Sequence, residues 1–219
     1  MATLALNSEI TEPNRTCVKM NERSTLLTDL PCVISIKRYV DGRGWFSEIF
    51  HEKRLADIGI TCRFVQDNQS SSKRRGTLRG LHFQMPPAQQ AKLVSVSRGA
   101  ILDVAVDVRK GSPTYGKFVS VELSAESGQQ LFVPVGFAHA FMTLEDDALV
   151  TYKVSTFYSP KHDGGIRWND PDVAFPWPMP ETQIVTSDKD GQLPLLREFN
   201  SPFIYKGHPL GPLQQVNLG

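Results

Sequence analysis

LFVPVGFAHAF, residues 131–141, is the stretch on which the fold turns. It straddles the end of one short apolar run, 129–134, which closes on Pro134, and the start of another, 139–144, with Gly136 between them. Proline and glycine so placed end one strand and allow the chain to turn into the next. Outward from this point the same signal repeats. Short runs of period two recur near residues 32–40, 44–50, 62–67, 77–84, 91–97, 100–109, 117–124 and 148–156, which is the signature of half-buried strands. Turn residues fall between them: Arg98-Gly99, Lys110-Gly111-Ser112-Pro113, Glu126-Ser127-Gly128 and Glu145-Asp146-Asp147. One helical stretch stands out, HEKRLADIG at 51–59, with Leu55 and Ile58 three apart and Gly59 where a helix would stop. Many strands without helical alternation predict an all-β antiparallel sandwich or barrel, a jelly roll first among them, with short peripheral helices.

A chain of 219 residues, 40% of them hydrophobic, supports one sizeable core. The expected division is an N-terminal arm over 1–30, a barrel domain over 31–196, and a tail over 197–219 packed on the barrel or trailing it. Lys and Arg number 24 against 23 Asp and Glu, so nothing in the net charge calls for nucleic acid or a membrane surface as partner. An anionic ligand must be held by local positive charge. The longest apolar run, AILDVAVDV, is interrupted by Asp103 and Asp107 and is far too short to span a bilayer. The opening MATLALNSEITEPNR lacks the basic and apolar regions of a secretory leader. Cys17, Cys32 and Cys62 are an odd count at scattered spacing, which suits reduced structural thiols in a cytoplasmic protein. SSSKRRG at 70–76 reads as a polar, solvated loop.

Polar groups that a strand core does not need gather in three runs: LRGLHFQ at 78–84, LFVPVGFAHAF, and YKVSTFYSP at 152–160. Pro134, Gly136 and His139 form a P-x-G-x-x-H pattern that resembles the second motif of the cupin superfamily of jelly-roll barrels. Metal-binding cupins carry H-x-H and a following glutamate in their first motif. Here that motif reads His82-Phe83-Gln84, without the second histidine and the glutamate, so no metal is expected and His82 is free for proton chemistry. In order along the chain, DGRGWFSE, FVQDN, LRGLHFQ, Lys92, ILDVAVDVRKGSPTYG, VPVGFAHAF, YKVSTFYSP and IRWNDP resemble the dTDP-4-dehydrorhamnose 3,5-epimerase family over about residues 32–196. Such a family member is a homodimer of cupin barrels, with strand exchange at the N-terminal strands. It acts on dTDP-4-dehydro-6-deoxyglucose without cofactor or metal.

The chemistry of that family explains the residue types. Inverting a carbon beside a ketone needs a base on one face, an acid on the other, and positive charge at the enolate oxygen. The resemblance gives His82 the base, with Asp190 orienting its ring, although Asp188 is an alternative partner because alignment over 170–190 needs a one-residue gap. It gives Lys92 the enolate oxygen and Tyr152 the proton donation. Alternation agrees, because Lys92 shares a face with Val94 and Val96, and Tyr152 with Val150 and Val154. By the same resemblance Tyr158 stacks on the sugar and Asp163, a glutamate in many relatives, lies near the nucleotide. Arg43, Glu48, Gln66, Asp67, Asn68, Arg79, His139 and Lys189 line the nucleotide-sugar site, the early ones reaching in from a partner subunit. Arginine suits a diphosphate because its planar fork offers paired donors. A relative that inverts only carbon 3 or carbon 5 would carry the same base and acid, and a ketoisomerase of this fold ranks third. A cupin that only binds sugar nucleotides is the rival from another class.

Overall fold

The computed structural model describes residues 29–218. The arm expected over 1–30 lies outside the described residues except for Asp29 and Leu30, and Cys17 lies outside them too. The chain runs β1 (Cys32–Ile36), β2 (Arg38–Asp41), β3 (Gly44–Ser47), α1 (Glu52–Asp57), β4 (Gln66–Ser72), β5 (Leu78–Gln84), β6 (Lys92–Arg98), β7 (Ala100–Asp107), β8 (Phe118–Ser124), β9 (Gln129–Val133), β10 (Phe137–Thr143), β11 (Ala148–Val154), β12 (Asp163–Gly165), α2 (Asp188–Gly191) and β13 (Gln214–Leu218). Six strands form one sheet in the order β13-β1-β9-β6-β11-β4, five form another in the order β12-β5-β10-β7-β8, and β2 with β3 makes a separate hairpin. The two large sheets face one another as a jelly roll, the all-β fold expected. Among the described residues no helix is long and apolar enough to cross a membrane.

Three apolar layers hold the sandwich together, and strand alternation assigns residues to them. Between the sheets lie Val33, Val94, Val96, Ile101, Ala105, Leu131, Phe137, Phe141 and Val150. The outer face of the six-stranded sheet carries Cys32, Ile34, Leu93 and Phe132, covered by Leu55 of α1 and by Ile60. The outer face of the five-stranded sheet carries Leu81, Phe83, Val104, Val106, Ala138 and Ala140, covered by Val173, Leu196 and Phe203 from the later chain. A strand covered on both faces reads as a nearly continuous apolar run, which is why AILDVAVDV looks as it does. Each fully buried Leu, Val, Ile or Phe contributes about 1.5–3 kcal/mol. α1 begins where His51 Nδ1 accepts the Arg54 N–H at 3.4 Å, and the chain leaves it through Gly59 at φ +95°, the left-handed exit that glycine makes easily.

Several expectations need correction. The run 32–40 is two strands, β1 and β2, either side of Lys37. The segment 62–67 enters its strand only at Gln66, and the polar run taken as a loop from 70 continues β4 through Ser72. Polar residues suffice there because β4 is an edge strand, held to β11 by its backbone. The tail adds β13, which pairs in parallel with β1 from Cys32↔Gln214 to Ile36↔Leu218.

The pairing of β5 with β10 carries an irregularity inside the five-stranded sheet. His139 lies opposite His82 but Phe141 opposite Arg79, so the register shifts by one residue across a bulge. Strict alternation would put residues 79 and 82 on opposite faces, and the bulge turns both inward. Gly80 makes this possible at φ +128°, where a Cβ would sit 2.5 Å from the Ala140 Cβ. Gly80→Ala should therefore lower stability by about 1–3 kcal/mol through overpacking alone, read as a lower denaturant midpoint; an unchanged midpoint would mean that the bulge relaxes freely.

Candidate active site

The open end of the barrel holds a cleft of about 580 Å³ lined by His82, Lys92, Arg79, His139, Tyr152 and Asp190, among others. A smaller recess of about 160 Å³ continues it past His82, Lys92 and Tyr152 to Gln66, Asn68, Tyr158 and Asp163. The sheets supply the walls: His82 comes from β5, His139 from β10, Lys92 from β6 and Tyr152 from β11. Inward polar residues alternate with inward apolar ones along these strands, as His139 does between Phe137 and Phe141, so the same strand faces build core and cleft.

His82 is tied to Asp190, with Nε2 to Oδ1 at 2.8 Å. Asp190 lies on α2, a single turn capped by Ser187, whose Oγ accepts the Asp190 N–H. Its other oxygen accepts the Gly80 N–H at 3.2 Å. Burial pushes this carboxyl up, but the hydrogen bond and charge of His82 and the Gly80 N–H outweigh it and leave the group below the ordinary value. An ionised Asp190 can only accept, so Nε2 carries the proton, and in the neutral form of the ring Nδ1 keeps its lone pair. The bulge thus serves twice, by aiming His82 inward and by presenting the N–H that steadies its partner. Asp188, the alternative, is on the same turn but makes no such contact; Asp190 is the residue beside His82.

Lys92 is 9% exposed, and its Nζ donates to the His82 carbonyl at 3.3 Å. Burial lowers its pKa to about 8, partly offset by the charges of Asp103 and Asp163. Tyr152 packs against the inter-sheet layer, and burial raises its pKa, so the phenol stays protonated at neutral pH. His139 Nε2 lies 2.6 Å from Asp103 Oδ1, and burial lowers its pKa in spite of that carboxylate. Asp103 was read in the sequence only as an interruption of an apolar run. The available signal was its parity with Ile101 and Ala105 on the inward face. Its second oxygen is buried without a partner among the described residues.

Around the recess, Tyr158 donates its hydroxyl to Asp163 Oδ2 at 3.1 Å, and Lys189 is hydrogen-bonded to that same oxygen. Gln66 Nε2 donates to Asn68 Oδ1 at 2.8 Å. Three of the candidates stand apart from the cleft of their own chain. Arg43 pairs with Asp41 on the exposed β2–β3 hairpin at 2.6 Å, Glu48 with Arg54 at 3.1 Å, and Asp67 with Lys153 at 2.8 Å. Among the described residues no three His, Cys, Asp or Glu side chains converge as metal ligands would; Gln84, where a cupin metal site has its second histidine, spends its amide on neighbouring backbone.

A family model described as dTDP-4-dehydrorhamnose 3,5-epimerase matches residues 25–198. The chain is similar to the dTDP-4-dehydrorhamnose 3,5-epimerase of Sinorhizobium fredii, with 51% identity over 177 residues, 79% of this chain and 88% of that one. The crystal structure of the Bacillus anthracis enzyme of that name, with TDP and PPi bound, superposes with a TM-score of 0.73 at 47% identity, covering 75% of this chain and 93% of its own. The Legionella pneumophila epimerase, solved in complex with dTDP-4-keto-L-rhamnose, gives a TM-score of 0.76 at 44% identity, covering 80% and 93%. With the matched segment spanning β1 through α2 and the shared fold, the chain belongs to the dTDP-4-dehydrorhamnose 3,5-epimerase family.

Proposed function

We propose that this chain is an isomerase that converts dTDP-4-dehydro-6-deoxy-α-D-glucose to dTDP-4-dehydro-β-L-rhamnose by inverting carbons 3 and 5. The observation that carries the reading is the His82–Asp190 pair, lining a cleft shared by Lys92 and Tyr152. Nδ1 removes the proton from the carbon beside the 4-keto group, and the C–H electron pair moves into the enolate. The Lys92 ammonium, itself buried, donates to the oxygen on which the charge develops. Tyr152 returns a proton to the opposite face of the same carbon. The imidazolium then gives its proton to solvent and the tyrosinate takes one up. Asp190 keeps the imidazole in the tautomer the first step needs. No step calls on a metal or cofactor.

Arg79 and Lys189 supply cations for the diphosphate, His139 a polar contact to the sugar, and Tyr158 the face on which it stacks. Arg43, Glu48 and Asp67, turned from their own cleft, are read as serving the partner of a homodimer. The hairpin that bears Arg43 exposes Tyr39, Val40, Trp45 and Phe46, an apolar surface suited to a second copy of this chain. Free Cys32 and Cys62 suit the reducing cytoplasm in which we place the enzyme.

The test is to incubate the protein with the substrate in heavy water and follow deuterium at each sugar carbon by NMR. Label at carbons 3 and 5 is expected; label at one alone would make this a single-centre epimerase, and none would leave a binding protein. His82→Asn should lower exchange at both carbons by about 10²–10⁴-fold, and retained exchange would remove His82 as base. Tyr152→Phe should allow exchange without inversion.

Lys92 yields a paired prediction. With its pKa near 8, the ammonium is present below that pH and lost above it, so kcat/KM should fall as pH rises through about 8. In the unfolded chain the group titrates at its ordinary 10.5. Below both values each state is charged, and the folded one holds that charge at a disadvantage of about 3 kcal/mol, relieved as pH climbs from 8 toward 10.5. Lys92→Met should therefore raise the melting temperature at pH 7 while lowering turnover by about 10²–10³-fold. A lower melting temperature would show that Asp103 and Asp163 need the ammonium more than burial opposes it.

A further inference from the structure

Backbone residues 156–159, between β11 and β12, carry Tyr158 to the rim of the recess, yet little apolar burial fixes them. Phe157 is 67% and Tyr158 53% exposed. Side-chain amides hold this segment instead. Gln90, from the β5–β6 connection, donates to the Thr156 carbonyl at 2.5 Å. Gln66 of β4 accepts the Tyr158 N–H at 2.9 Å. Gln84 of β5 brackets the tyrosine, accepting the Ser159 N–H on Oε1 at 2.6 Å and donating from Nε2 to the Phe157 carbonyl at 3.3 Å. Its second N–H goes to the Ala88 carbonyl at 2.6 Å.

Gln84 is only 3% exposed, and one side chain here must offer one acceptor and two donors at once. An amide meets that demand; a carboxylate would set an oxygen against two carbonyls, and an imidazole has too few groups. The position that a metal-binding cupin gives to a ligand is thus occupied by a fastener of backbone.

We propose that Gln84 is a positioning residue for substrate affinity, acting through Tyr158 by fixing the backbone on both sides of it. This rests on the reading of Tyr158 as a substrate contact. Gln84→Leu should raise KM for dTDP-4-dehydro-6-deoxyglucose by about tenfold, the scale of one lost hydrogen-bonded contact, with kcat within about twofold, as for the removal of uniform binding. In a Tyr158→Ala background the same substitution should add nothing to KM. Without substrate, hydrogen exchange of the segment around Tyr158 and Ser159 should quicken. An equal rise in KM in both backgrounds would overturn the proposal, as would a fall in kcat at constant KM, which would place the effect on His82 along the same strand. A Tyr158→Ala protein with the parent KM would overturn the reading of Tyr158 itself, whereas parent-like exchange in Gln84→Leu would overturn only the fastening. Should Gln84→Leu fail to fold, Gln90→Leu carries the same cycle, with a smaller rise in KM expected and abolished by Tyr158→Ala; a rise that persists there overturns the proposal.

Discussion

The pairing of β5 with β10 is the constraint from which the cleft follows. β10 lies between β5 and β7, so its residues set what stands opposite them on both sides. His139 faces His82 across one ladder, and Phe141 faces Asp103 across the other. The bulge at Gly80 then fixes three things together. It aims His82 and Arg79 into one cavity, brings the backbone against Ala140, and offers an N–H to Asp190. A regular ladder would have kept the sheet and lost the cleft.

Placing reactive groups on the inward faces of a barrel has a physical cost that the structure distributes along each strand. Val94 and Val96 fill the interior while Lys92, two residues away on the same face, is stripped of water. The same desolvation that disfavours the ammonium makes it a stronger partner for a developing oxyanion. Asp103 and His139 show the same exchange, since a buried carboxylate with one oxygen unpartnered among the described residues lowers stability and is tolerated where a polar wall is wanted. The apolar layers outside both sheets supply the surplus that lets the interior be polar at one end.

Much of this could be read from the residues. Strand positions followed from alternation, and the same alternation placed Lys92 and Tyr152 inward, because period two relates each to its valines whatever the tertiary contacts. Local rules failed where backbone pairing, not side-chain pattern, decides. Ser70–Ser72 form a strand because β11 offers them a ladder. Arg79 and His82 share a face because a bulge breaks the period. Asp190, not Asp188, meets His82 because a four-residue turn orients it, and nothing in DKD itself distinguishes the two. Arg43, Glu48 and Asp67 stand apart from the cleft, where Asp41, Arg54 and Lys153 pair with them, because the tertiary path of β2, β3 and β4 and not the local pattern decides where they point.

The parallel pairing of β13 with β1 also bears on how the fold is reached. β1 comes from the start of the described chain and β13 from its end, so among the described strands the ladder between them closes the longest loop and bears the largest entropy of closure. Contacts of such sequence separation form late and slow the folding of β-rich chains. Until β13 arrives, β1 presents an open row of backbone donors and acceptors beside Val33 and Ile34. That edge is the one on which a partly folded chain could recruit another copy, and the tail ends the exposure by becoming the strand that fills it.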